Sequence, residues 1–330
     1  MIDKLEFLLA LAREKHFGRA AAACGVSQPT LSSSIRQLEN VLGMPLVERG
    51  SRFIGFTPEG LRALDWARRI VGDARGMRTD LLAMRKGLTG HLRLAVVPTA
   101  LPIVSRLTTA FTERWPDVKM SVFSRNSTEA IELLDNLEID ACLTYLDNEP
   151  LGRVTTTELY RERQHLVTGA AGAFAGRAGV TWAEVAEIPL CLLTPDMQNR
   201  RIIDHHFAAL GLTAAAKLES NSIMVLAAHV RTGRWSSVMP SILAEALGLV
   251  GSGIAMIPIV EPEIVHTIGL VTTARDLRSP LVEALEAEAR RLAVSLGDVA
   301  RPRENVTTPR SCPPNPEDDG SNRETISDSI

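Results

Sequence analysis

The sequence has no run of 18 apolar residues, so nothing in it reads as a transmembrane helix. Its start, Met1-Ile2-Asp3-Lys4-Leu5-Glu6-Phe7, carries acids where a secretion signal needs a basic start and an apolar stretch; a cytoplasmic chain without a membrane partner is the expectation. Cysteine is scarce. Cys24, Cys142, Cys191 and Cys312 lie far apart with no Cys-x-x-Cys pair, which argues against a zinc ribbon and a disulfide-dense secreted fold. Cys142 and Cys191 sit inside apolar runs, where a thiol usually only packs. No Gly-x-Ser-x-Gly or Walker pattern occurs, and Gly251-Ser252-Gly253 lacks the rest of a dinucleotide fingerprint. Asp204-His205-His206 is the one dense metal-like cluster, but neighbouring helical side chains point about 100° apart and chelate poorly. Neither a metal, nor a cofactor, nor an enzymatic step is expected.

Net charge is also small, −3 over 330 residues. The average hides a gradient. Residues 1–90 carry 14 Lys and Arg against 9 Asp and Glu, net +5; residues 91–297 carry 18 against 23, net −5; residues 298–330 carry 4 against 7, net −3. A basic head on an acidic body fits nucleic-acid contact by one domain only, although so modest an excess also arises by chance.

The head reads as helices and a tight turn. Leu5, Leu8, Leu9 and Ala12 recur at helical spacing. Small residues at 20–24 allow close packing, and Gly25 suits a left-handed turn. Ser27 is a good N-cap and Pro29 fits a first turn. Leu31, Ile35, Leu38 and Leu42 line one face of the new helix; Gln28, Thr30, Ser32, Ser33, Arg36 and Gln37 line another. Such a polar face can read base edges in a major groove, or it can simply be solvated. The next stretch favours DNA. Residues 46–58 read as a hairpin with Arg49 and Arg52 at its tip, placed for phosphates or a minor groove. Thr57, Pro58 and Glu59 then open another helix.

The string Ala20-Ala21, Val26-Ser27-Gln28-Pro29, Leu31-Ser32, Ile35, Leu38-Glu39, Leu42-Gly43, Pro45-Leu46, Glu48-Arg49 and Thr57-Pro58-Glu59-Gly60 resembles the winged helix-turn-helix of the LysR-type transcriptional regulators. Ser33 and Ser34 depart from the Arg and Gln common there, and Gly18 replaces the usual Ser or Thr before the second helix, which predicts a weak cap. The resemblance implies DNA contacts by Ser27, Gln28, Pro29, Thr30, Ser32, Ser33, Arg36, Arg49 and Arg52.

Ala63, Ala67, Ile70, Ala74, Met77, Leu81, Met84 and Leu88 follow at steps of 4 and 3, an apolar heptad seam flanked by charge. A core-facing helix would show the same seam; the flanking charge favours pairing with an identical helix, hence a dimer on an interrupted palindrome. From His91 to Leu296 strand-like and helix-like runs alternate, which predicts α/β construction with parallel sheets. Thr99 and Ser127 are expected to cap helices at strand ends. Such junctions present hydroxyls and free N–H groups, which suit a small anion. The candidates are Thr99, Asn126, Ser127, Thr128, Thr194, Asn221 and Ser222, each of which could equally be a plain cap.

The family resemblance extends to this body and makes it a two-lobed, periplasmic-binding-protein-like α/β sensor with the effector between its lobes. The expected fold is therefore multidomain, α and α/β: a winged helix-turn-helix over 1–60, a linker helix over 58–88, lobe I over 91–164 and 266–297, lobe II over 165–265, and a disordered Pro-, Ser- and acid-rich tail over 298–330. It also implies assembly to a tetramer, operator DNA, a small-molecule effector and RNA polymerase as partners. The chain is similar to regulators neighbouring formate dehydrogenase genes, which makes formate or a related small acid a candidate effector. A solute-binding transport component would instead need an export signal and no helix-turn-helix; a fused α/β enzyme would need turnover.

Overall fold

A computed structural model describes residues 1–299 apart from 50–52, 215, 252 and 275–277. Arg52 and nearly all of the expected tail lie outside the described residues.

The head opens with α1 (Ile2–Glu14), α2 (Phe17–Ala23) and α3 (Gln28–Leu42). His16 Nδ1 accepts from the amides of Gly18 and Arg19 at 3.0 and 3.2 Å. The cap of α2 is therefore His16, and Gly18 lies inside the helix, contrary to the weak cap predicted there. Gly25 takes the turn at φ +67°, a conformation that suits glycine. Ser27 caps α3 through the amide of Thr30. Strands β1 (Val47–Arg49) and β2 (Phe53–Phe56) form an antiparallel wing. Thr57 caps α4 (Pro58–Lys86), which at 29 residues is about 43 Å long.

The first half of α4 belongs to the head. Leu64, Ala67 and Val71 are buried with Leu5, Leu8, Leu31, Ile35 and Leu38. Its first turn presses on the wing: a Cβ on Gly60 would meet the Leu46 carbonyl oxygen at 1.9 Å. The heptad expectation needs correcting at both ends. Ala67 is fully buried against its own head, and Leu88 lies beyond the helix, which ends at Lys86, and packs on the sensor core. Ile70, Met77, Leu81 and Met84 remain exposed, joined by Trp66, which the spacing did not single out.

The body follows in the order β3 (Gly90–Val96), α5 (Leu101–Arg114), β4 (Val118–Ser124), α6 (Ser127–Asp135), β5 (Ala141–Tyr145), β6 (Val154–Gly169), β7 (Val180–Thr181), α7 (Trp182–Ala186), β8 (Leu190–Leu193), α8 (Gln198–Ala209), β9 (Ala216–Ser220), α9 (Ile223–Val230), β10 (Ser237–Pro240), α10 (Ser241–Ala246), β11 (Ile254–Val260), β12 (Val265–Thr273) and α11 (Pro280–Val299). Residues 298 and 299 thus close a helix, where the tail was expected to begin. The main sheet runs β4-β3-β5-β12-β6-β11-β7, with β10 also on β6. It is mixed where a parallel sheet was expected: β3 pairs in parallel with β4 and β5, but β12, β10 and β11 run antiparallel to β6. Strand β6 pairs with β12 over Val154–Arg163, then with β10 and β11 over Gln164–Gly169. One continuous strand therefore serves two lobes, each with its own apolar core.

Gly60→Ala should lower the urea unfolding stability of the head by about 1–3 kcal/mol, because Leu46 backbone must move to admit one methyl. An unchanged midpoint would show that the first turn of α4 can lift off the wing.

Candidate functional site

On α3, Gln28, Pro29, Thr30, Ser33 and Arg36 are exposed and Ser32 is half-buried, while Leu31, Ile35 and Leu38 anchor the opposite face. Gln28, Ser32 and Arg36 follow at four-residue steps and so share one side of the helix. The Thr30 hydroxyl meets the Ser27 hydroxyl at 2.8 Å, which engages both in the cap. Arg49 ends β1.

The expected effector residues divide differently. Thr99 does not cap a helix: it sits in a short 3-10 turn, almost fully buried, with its hydroxyl 3.1 Å from the Tyr145 hydroxyl. Asn126, rather than Ser127, caps α6, accepting from the amide of Glu129 at 2.8 Å. That frees Ser127, whose hydroxyl donates to Glu149 at 3.0 Å and receives Arg201 at 2.9 Å. Arg201 also donates to Glu149 Oε1 at 2.7 Å. Because α6 lies in one lobe and α8 in the other, this triad clasps the lobes together. Thr194 is close enough to Asp196 to help keep its carboxyl below the usual range, although its buried Oγ1 makes no hydrogen bond among the described residues. Thr128 and Asn221 are exposed, and Ser222 starts α9 without a side-chain cap bond.

A second group, missed by sequence reasoning, occupies the seam. The Tyr145 hydroxyl donates to Glu162 Oε1 at 2.6 Å and accepts from Asn199 Nδ2 at 3.1 Å. Beside it Thr144 donates to Gln198 Oε1 at 3.0 Å. Tyr160, Glu162 and Gln164 alternate along β6 on the inward face, Arg161 and Arg163 on the outward one. Glu162, Gln164, Gln198 and Asn199 are all at most 4% exposed. Burial pushes the Glu162 carboxyl up to about 8, against the Tyr145 hydroxyl bond that pulls it down, so it holds a proton at neutral pH. The one signal available beforehand was a Glu and a Gln at inward positions of a strand that turns apolar at Leu166.

Histidines also meet across the seam: His206 Nε2 of α8 lies 3.0 Å from His266 Nε2 of β12, and His266 Nδ1 lies 3.0 Å from Asn148 Nδ2. Burial first, then His266 and His205, lower His206 to about 4, so the pair is neutral. Among the described residues no three His, Cys, Asp or Glu are arranged to hold a metal. Burial raises the Cys142 thiol to about 12 and the Cys191 thiol to about 11.

The sensor also touches the head. The turn after α6 places Leu137 at φ +60° against the head core. Arg75 of α4 donates to the Leu137 carbonyl at 3.3 Å and to Glu6 of α1 at 2.9 Å; Arg93 reaches the same carbonyl at 3.3 Å.

Residues 2–61 match the bacterial regulatory helix-turn-helix protein family of LysR type, and residues 85–293 match the LysR substrate binding domain. The chain is 28% identical to the hydrogen peroxide-inducible genes activator of Escherichia coli over 291 residues, covering 87% of this chain and 95% of that protein. In fold it is similar to full-length OxyR from Pseudomonas aeruginosa carrying a cysteine-to-aspartate substitution, with a TM-score of 0.69, 24% identity and coverage of 88% and 94%. It is also similar to full-length CbnR in complex with its target DNA, with a TM-score of 0.55, 21% identity and coverage of 88% and 99%.

The buried Glu162 sets a pH signature. Between about 4.5, where the unfolded chain loses this proton, and about 8, the folded protein still holds it. The Glu162 contribution to stability therefore falls as pH rises through that window and levels off above it. Glu162→Gln should remove that decline, so that the variant gains on the parent in urea midpoint from pH 5 to pH 8. Parallel profiles for the two proteins would show that Glu162 ionises normally.

Proposed function

Since the chain belongs to the LysR family of DNA-binding transcriptional regulators with an effector-binding domain, we propose that it binds an interrupted-palindrome operator as a homo-oligomer and reports a small molecule held between its sensor lobes. The observation that carries this reading is the seam itself, where side chains of both lobes converge on Tyr145 and on the Ser127–Glu149–Arg201 clasp. A regulator of this kind is not an enzyme, and its place is the cytoplasm, where the operator is. Among the described residues no helix is long and apolar enough to cross a membrane.

The DNA face is α3, with Gln28, Ser32, Ser33 and Arg36 toward base edges, Ser27, Pro29 and Thr30 at its approach, and the wing arginines Arg49 and Arg52 toward the backbone. The second copy covers the exposed stripe Trp66, Ile70, Met77, Leu81 and Met84; such a stripe is what a paired helix needs and what a lone helix in water does not. Two dimers make the tetramer, and RNA polymerase is the partner that transcription brings to the complex.

For switching, the ligand must favour one arrangement of the lobes over another. Helix α6 offers a short route for that preference. Its first residue, Ser127, is in the clasp, and the turn after its last holds Leu137 against the head. A lobe rotation that releases Ser127 would also load the Leu137 contact.

The peroxide-inducible relative raises a second reading, thiol oxidation. The two described sensor thiols do not favour it. Both are fully buried and strongly protonated, and a thiol reacts through its thiolate.

Three outcomes are expected. Arg52→Ala should weaken binding to all DNA sequences and lower the slope of log affinity against log salt by about one. Gln28→Ala should cost about 1–3 kcal/mol at one operator base pair; equal weakening on random DNA would make Gln28 a phosphate contact instead. Iodoacetamide should leave Cys142 and Cys191 unmodified in the folded protein and label both after denaturation. Rapid native labelling of either would revive the thiol reading.

A further inference from the structure

Buried polar groups in a folded protein are almost always hydrogen-bonded, and each exception needs a reason. Apart from Arg68 Nε of α4 and Thr194 Oγ1 after β8, the exceptions among the described side chains gather at the seam. Glu162 Oε2, Gln164 Oε1 and Nε2, Gln198 Nε2 and the Tyr160 hydroxyl are all buried with no hydrogen-bond partner among the described residues. Tyr160 lies close enough to the Glu162 carboxyl for each to alter the other's ionisation, yet the two lack hydrogen-bond geometry. Leaving one such group unsatisfied costs about 1–3 kcal/mol, so several together are a standing penalty that a bound molecule would relieve.

The charge around them is specific. Arg200 is the buried cation of α8, and it is occupied by Asp204 at 2.9 Å, Glu219 at 2.6 Å and the Leu193 carbonyl at 2.8 Å. Arg201 is held by Glu149, Ser127 and the Asp196 carbonyl. Burial keeps His266 and His206 neutral. Arg161 and Arg163 face away from the seam. The unsatisfied set is thus two amides, a phenol and a carboxyl, with no unpaired arginine of α8 beside it. An anion buried there would meet no compensating charge, and a carboxylate ligand would also repel Glu162 whenever that group ionised.

We propose that the seam between β6 and the start of α8 takes a small uncharged molecule that both donates and accepts hydrogen bonds, such as an amide or a hydroxyl compound, and rejects carboxylates of the same shape. This rests on the inter-lobe effector reading and names the ligand's chemical class; it replaces the small anion that the strand-end hydroxyls suggested. Glu162 and Gln164 lie on either side of the point where β6 changes lobes, and Gln198 comes from the second lobe. A ligand bonded to all three therefore ties the lobes together. The same groups are almost inaccessible here, so the clasp of Arg201 on Glu149 and Ser127 must open for entry.

Isosteric pairs test the charge rule: formamide against sodium formate, and acetamide against sodium acetate, each at tens of millimolar and matched ionic strength. The readouts are thermal unfolding and operator affinity of the full chain. The amides should raise the unfolding temperature saturably and the anions should not. Gln164→Leu and Gln198→Leu should each abolish the amide shift. Gln164→Leu should also raise the unfolding temperature of the ligand-free protein, because a wholly unsatisfied amide is removed; Gln198→Leu gives no such gain, since it also strips the Thr144 hydroxyl of its acceptor, and its cooperative unfolding transition shows that it folds. A saturable shift by formate or acetate that Gln164→Leu abolishes overturns the uncharged class while leaving the inter-lobe site standing. A shift insensitive to both substitutions overturns the inter-lobe site itself. No saturable shift by either amide, or a loss of stability in Gln164→Leu, also overturns the proposal.

Discussion

A strand that serves two sheets fixes the rest of this sensor. Because β6 runs unbroken from Val154 to Gly169 and changes partners between Arg163 and Gln164, the lobes share a backbone and cannot separate without bending it. Side chains near the change of partner must face a surface common to both lobes. There β6 places Tyr160, Glu162 and Gln164, where a purely structural strand would place Val or Leu. Two apolar cores lie on either side, so the molecule could have closed this gap with apolar packing and did not. Buried polar groups that are only partly satisfied are weak evidence for stability and much better evidence for a task.

The same contrast separates the two ends of α4. Near its start the helix is committed to its own head through Leu64, Ala67 and Val71, and Gly60 brings its backbone onto Leu46. Farther along it carries Met77, Leu81 and Met84 in solvent. A single heptad register runs through both halves because both need an apolar stripe, although the surface each stripe meets is different. Periodicity reports that a stripe is buried somewhere; it does not report against what.

That is also where the sequence was legible and where it was not. The head was readable because each turn is specified locally: Ser27 and Thr57 cap the helices they precede, and Gly25 takes the left-handed turn. Even so, His16 rather than a residue at 18 caps α2, since an imidazole nitrogen can replace a hydroxyl as acceptor. In the sensor, strand and helix alternation was visible, but the antiparallel pairing of β6, β10, β11 and β12 was not, because pairing depends on partners far away in the chain. Thr99 and Ser127 were noticed for a capping role that Ala100 and Asn126 occupy instead. Both nevertheless lie at the seam, because strand ends bring hydroxyls there whether or not they cap. Glu162, Gln164 and Gln198 carry no local motif at all; only the fold brings them together.

The charge gradient takes on a different sense beside these contacts. A basic head and an acidic body suggest that the two would simply attract, yet their contact in this chain is mostly neutral and directional. Arg75 bridges Glu6 to a backbone carbonyl, and Leu137 is apolar. Arg13 and Glu138 approach only to 3.8 Å, partly exposed, a geometry worth little in water. Burial pushes the Glu138 carboxyl up, so the head does not hold the sensor by strong charge pairing there. An interface of this kind is weakly screened by salt and rests on the fit of Leu137 and on the bond from Arg75 to the Leu137 carbonyl, which Arg93 of the sensor also holds in place. It can therefore be shifted by a small rotation of α6, while the net positive charge of the head stays available for DNA.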